Sequence, residues 1–207
     1  METNEVPWEF YAESTPNPAS MKFVASKNII ENGATAEYHK ITETKGAPLV
    51  QKLFEFPFTK SVFVSANYIT ITKHDFIEWP DVFQEVRSFL TTYTRSDKPL
   101  ILELPKKDFP VDSDFQKTTS ISTEHSIPKN EIESKIVETL ESYIRPAVEQ
   151  DGGLITFKSF ENGVVTVQMK GACSGCPSST MTLKAGIENL LKRVIGDDIK
   201  EVVSEAV

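Results

Sequence analysis

Cys173 and Cys176 carry the clearest chemical potential in this sequence. They are the only cysteines in 207 residues, spaced as Cys173-Ser174-Gly175-Cys176 and followed by Pro177. Thiolates bind iron and zinc and attack disulfides, so the spacing serves redox sites, zinc half-sites and iron-sulfur ligation alike. Gly171, Ala172, Ser174 and Gly175 add little bulk, leaving amides free to face bound sulfide and room for a second chain. Pro177 suits the first position of a helix, which places Cys176 at or beside the cap. Unpaired amides and the helix dipole favour a thiolate there, with a weaker effect at Cys173.

Ligand arithmetic narrows the choices. A thioredoxin-like site also opens a helix, but that fold needs a further hairpin and helix afterwards and a proline facing the cysteines. Residues 178–207 contain no proline and are too few for both elements. A closed zinc site or an iron-sulfur cluster takes four ligands, and this chain has two cysteines and three histidines. His39, His74 and His125 have no mutual ligand spacing and read as surface or turn residues. Two copies of the motif, as a twofold dimer provides, supply four thiolates. A zinc-bridged structural dimer and a thiol-disulfide redox protein stand as alternatives. No nucleophile, base and oxyanion constellation emerges, so the chain is not expected to be an enzyme.

The elements around the motif follow from periodicity. Asn130 can cap a helix with Glu133 at its third position, and Ile132, Ile136, Leu140, Tyr143 and Ala147 recur at three or four residues. Pro146 should kink or shorten the last turn, and Gly152-Gly153 can end the segment. Two strands, 154–160 and 164–170, are joined through Asn162-Gly163, the dipeptide of a type I′ turn. Val165, Val167 and Met169 should face the core, with Thr166, Gln168 and Lys170 toward water. A helix from Pro177 carries Leu183, Ile187, Leu190, Leu191 and Val194 and stops at Gly196, before a last strand over 199–203.

Upstream, strands at 8–11 and 21–24 flank the turn Ser14-Thr15-Pro16-Asn17-Pro18, and a hairpin joins 61–64 to 68–72 around Ala66-Asn67. Helices are expected over 48–54 and 80–93, the second with Val82, Phe83, Val86, Phe89 and Leu90 on one stripe. The stretch 105–130 is polar, Ser/Thr-rich and without sustained periodicity, and reads as a flexible linker. The organisation is therefore α+β: two small α+β domains, 1–104 and 131–207, the second in αββαβ order.

A net charge of −8 with no basic cluster disfavours nucleic acid and anionic membranes, and no segment approaches a membrane span. Met1-Glu2-Thr3-Asn4-Glu5 matches neither a secretory signal nor an Arg-rich transit peptide, which points to the cytoplasm, a bacterial one by preference. Two cysteines make no secreted disulfide framework.

Asp151-Gly152-Gly153, the run from Gly171 to Thr180, Thr182-Leu183-Lys184 and Gly186-Ile187-Glu188 resemble the C-terminal domain of the NifU and Nfu iron-sulfur proteins. Thr15-Pro16-Asn17-Pro18, Met21-Lys22-Phe23, Pro48-Leu49, Leu53-Phe54, Ser61-Val62-Phe63 and 69–73 resemble the Nfu N-terminal domain. The resemblance implies a scaffold or carrier holding a 4Fe-4S cluster, with 2Fe-2S as the variant form, between two protomers. Cys173 and Cys176 would be the ligands. It also implies transfer to apo-proteins and supply by upstream assembly proteins. The additional cysteine-bearing domains of full-length NifU are not in this sequence, which favours carriage over assembly from iron and sulfide.

Overall fold

The computed structural model describes residues 7–31, 34–96, 98–105, 125–174 and 177–205, excepting the side chains of 177–179. The chain divides by internal contacts into two compact units, Met1–Pro105 and Lys106–Val207. Of the expected linker, 106–124 lie outside the described residues.

The first unit is built on strands β1 (Phe10–Ser14), β2 (Ser20–Ala25), β3 (Thr35–Tyr38), β4 (Thr59–Ser65) and β5 (Tyr68–Lys73), with helices α1 (Pro48–Leu53) and α2 (Trp79–Thr94). Every pair in the order β1-β2-β5-β4-β3 is antiparallel. The proline-flanked turn between β1 and β2 is held by Asn17, whose side-chain oxygen accepts from the Ala19 amide at 3.0 Å, while its carbonyl accepts from Ser20 at 2.9 Å. The β4–β5 hairpin turns on Ala66, at a φ of 40° that alanine rarely adopts. Its carbonyl accepts from Ile29 and Ile30 at 2.7 and 3.1 Å, and that of Asn67 from Ala25 at 2.7 Å, so tertiary bonds hold the strained turn.

Alternation along β4 and β5 sends Val62, Val64, Ile69 and Ile71 into a core shared with Leu49, Leu53, Trp79, Val86 and Leu90. Edge strand β3 was not expected from sequence. It is four residues long, and Tyr38 on it is fully buried, with its phenol pushed up to about 12 by desolvation.

In the second unit, α3 (Glu131–Thr139), a π turn (Leu140–Ile144) and α4 (Arg145–Gln150) precede β6 (Gly153–Glu161), β7 (Val164–Gly171), α5 (Pro177–Ile195) and β8 (Glu201–Glu205). This is the αββαβ order, and both units are α+β. Asn130 caps α3, its side-chain oxygen accepting from the Glu133 amide at 2.8 Å. The Glu133 carboxylate reaches back to the Lys129 amide at 2.5 Å. Asn162 and Gly163 take φ values of 53° and 87°, as a type I′ turn demands. β6 and β7 pair antiparallel and β8 adds parallel to β7, with α5 as the connection that a parallel neighbour requires.

Val165, Val167 and Met169 are buried, and Thr166, Gln168 and Lys170 are half-buried on the other face. The helical stripes depart from expectation. In the first helix Tyr143 is 66% exposed, and Ile144 and Val148 pack inward instead of Tyr143 and Ala147. In α5 the inward stripe is Leu183, Ile187, Leu191 and Ile195, while Val194 faces out.

Candidate functional site

The site lies where β7 hands over to α5, and three glycines set its geometry. Gly153 begins β6 and Gly171 ends β7, directly opposite each other in the ladder. Gly152 and Gly171 sit at φ values of 80° and 62°, a region that glycine enters without the usual Cβ penalty. Their turn is closed by backbone bonds: Ala172 donates to the Gly152 carbonyl at 3.2 Å and Ser174 to that of Gly171 at 3.1 Å. The Ser174 hydroxyl donates to the same Gly171 carbonyl at 2.8 Å. From α5, the Thr180 hydroxyl donates to the Cys173 carbonyl at 3.3 Å. The loop bearing the first cysteine is thus tied to both the strand before it and the helix after it.

Cys173 is buried and packs in the apolar core with Ile136, Leu140, Val167, Ile187 and Leu191. Its sulfur lies over Gly153, where a Cβ would come within 2.4 Å of it. Cys176 and Gly175 lie outside the described residues, so of the two expected ligands the structure places Cys173 alone. Among the described residues no group of three or more His, Cys, Asp or Glu side chains converges as a metal site. The donor that is placed, a thiol at a strand-to-helix junction on a loop of small residues, is of the soft kind that the iron of a cluster takes.

The histidines fall elsewhere. His39 and His74 belong to the first unit. His125, expected at the surface or in a turn, has a buried side chain, 3% exposed. The Phe157 amide donates to its Nδ1 at 2.8 Å, which leaves Nε2 as the nitrogen facing Glu141, 2.5 Å from the carboxylate. Arg145 donates to Glu141 and Glu149, each at 2.7 Å. Sequence reading missed this cluster because its members are scattered from 125 to 157. It read Gly152-Gly153 structurally as a helix stop and otherwise only as part of a family resemblance; the signal available was a glycine pair opening a strand that must lie beside the cysteine loop.

Residues 10–97 match the family model described as "Scaffold protein Nfu/NifU N terminal", and residues 136–203 match the "NifU-like domain". "NifU-like protein 4, mitochondrial" of Arabidopsis thaliana is 36% identical over 195 residues, covering 93% of this chain and 64% of that protein. "NFU1 iron-sulfur cluster scaffold homolog, mitochondrial" of Drosophila ananassae is 35% identical over 180 residues, covering 87% and 58%. The chain therefore spans about three fifths of the length of these relatives. A solved NifU-like protein from Saccharomyces cerevisiae, 17% identical, aligns with a TM-score of 0.40 over 49% of this chain and 90% of its own. The expected cytoplasmic setting is overturned, because the relatives are named mitochondrial. That expectation rested on the makeup of Met1–Glu5, and the likeness that decides runs through the folded units instead.

Proposed function

The chain belongs to the Nfu/NifU family of iron-sulfur cluster scaffold proteins, and from that membership we propose that it carries a 4Fe-4S cluster between two copies of itself and passes it to apo-proteins. Cys173 and Cys176 of each copy would hold the cargo. The observation that carries this reading is the place of Cys173: a thiol at the β7–α5 junction, inside the stretch matching the NifU-like domain, on a loop of small residues. Iron takes thiolate sulfur readily, and a cuboidal cluster wants four of them. Each chain owns two, so a pair completes the set.

The partners follow from the chemistry of a cargo: an upstream assembly protein that supplies it, apo iron-sulfur proteins that receive it, and a second copy while it is held. Nucleic acid and membrane are not among them. The setting is mitochondrial, in keeping with the relatives' names. The relatives are named as scaffolds, and the role here is likewise binding and handover without catalysis.

Anaerobic reconstitution tests the proposal. Iron, acid-labile sulfide and light scattering on one sample should give about one four-iron cluster per two chains. A cluster bound only by the pair favours the pair by mass action, so cluster-free chain should shift toward monomer. Cys173→Ser and Cys176→Ser should each lose the cluster, since two thiolates per pair are too few. A monomer holding a complete cluster would sink the shared site. Two sulfides and two irons per pair would mean a 2Fe-2S cargo, stoichiometric zinc the structural dimer, and a reversible disulfide without metal the redox protein.

A further inference from the structure

A thiol that bonds iron outside its own chain has to stand at the surface, yet Cys173 is 8% exposed and sits among core side chains. Gly153 is what permits this inward position. A Cβ there would meet the Cys173 sulfur at 2.4 Å, a separation real Cβ atoms essentially never show. The next contacts, the Lys170 carbonyl oxygen at 3.0 Å and the Cys173 amide nitrogen at 3.1 Å, are tight but call for shifts of only tenths of an ångström. Gly153 is not among the glycines at positive φ, so space and not dihedral freedom is what its position demands. A Cβ at 153 and the sulfur at 173 would claim one small volume.

We infer that Gly153 is a positioning residue: it forms a seat that holds the Cys173 sulfur inward in the cluster-free chain, and the thiol turns out of this seat to take its place on the cluster. The inference rests on the reading of Cys173 as a cluster ligand. Rotation about Cα–Cβ between staggered wells moves a sulfur by a few ångströms without disturbing the backbone, and the loop stays fixed through the Ser174 and Thr180 bonds. Seated, the thiol is shielded from the oxidants that attack exposed thiolates. Unseated, it is available to iron.

Gly153→Ala in the full chain tests the seat. In a Cys176→Ser background, iodoacetamide should alkylate Cys173 several-fold faster once alanine evicts the sulfur. With both cysteines present, the Gly153→Ala chain should still take up iron and sulfide on reconstitution. A folded variant whose alkylation rate is unchanged would overturn the seat. One that alkylates faster but no longer loads would overturn the outward turn, and would make the inward position the cluster-bound one.

Alanine could also act through the backbone contacts, and a cycle with Cys173→Ala separates the two causes. The fall in melting temperature caused by Gly153→Ala should shrink when the sulfur is gone. Equal falls, or failure to fold in both backgrounds, would assign the glycine to the backbone and overturn the seat. The alkylation and melting measurements need no cluster. A chain that never loads iron yet shows both effects would defeat the cargo reading and support the seat.

Discussion

Individual side chains here act by satisfying each other inside the fold. Glu141 is the clearest case, because His125 and Arg145, the first residue of α4, both converge on it. Burial pushes its carboxyl up, but the hydrogen bonds from His125 and Arg145 and the attraction of the guanidinium outweigh burial and hold it below the ordinary carboxylate range. A carboxylate depressed on folding adds stability that is fully present above its unfolded value and is lost as pH falls through the folded one. The second unit should therefore lose stability on acidification through and below the ordinary carboxylate range. In Glu141→Gln that share of the slope should vanish, so the gap between variant and parent closes as pH falls. Urea unfolding of both across that range measures it, and a gap constant with pH would show that the carboxylate's charge is not what matters.

At the scale of the element, the π turn decides which residues reach the core. Pro146 has no amide to donate and its ring would crowd the carbonyl four residues back, so a regular helix cannot pass through it unstrained. The chain takes a wider turn instead, with the Arg145 amide donating to the Leu140 carbonyl five residues back. One extra residue in the turn advances the stripe by one, and Ile144 and Val148 fill the places that regular periodicity assigns to Tyr143 and Ala147. Ile144→Ala should accordingly cost about 1–3 kcal/mol by loss of packed methyl groups, and Tyr143→Ala no more than about 0.5 kcal/mol. Thermal melts of the two variants compare them directly. The reverse ranking would mean that the segment is a regular helix in solution.

At the scale of the molecule, the second unit begins before its first helix. Ser126 donates to the Phe157 carbonyl at 2.9 Å while Phe157 donates to His125, so the chain entering α3 fastens onto strand β6. That contact lies beside the irregularity in β6–β7 pairing between Phe157 and Ser159, where the ladder shifts register. A fragment starting at His125 should thus melt higher than one starting at Lys129, although both contain every strand and helix of the unit and the Asn130 cap of α3. Differential scanning calorimetry on the two fragments checks it. Identical melting temperatures would reduce His125 and Ser126 to passengers.

The sequence by itself determined what local chemistry can enforce. Asn130 announces a cap, Asn162-Gly163 a type I′ turn, Pro177 a helix start and Gly196 a helix stop, because each works through its own backbone or through neighbours within four residues. Alternation from Val165 to Met169 likewise shows its face without help from elsewhere. The cysteine pair stood out for the same reason, since its spacing lies within one turn of chain, though that spacing alone is shared by redox sites, zinc half-sites and cluster ligands. Only the tertiary structure decided features whose partners are distant. β3 is a strand because β4 offers it an edge, and Ala66 turns at positive φ because Ile29 and Ile30 bind its carbonyl. His125 is buried because β6 and Glu141 both claim it. Gly153 matters because a sulfur twenty residues away lies where a Cβ at this position would stand.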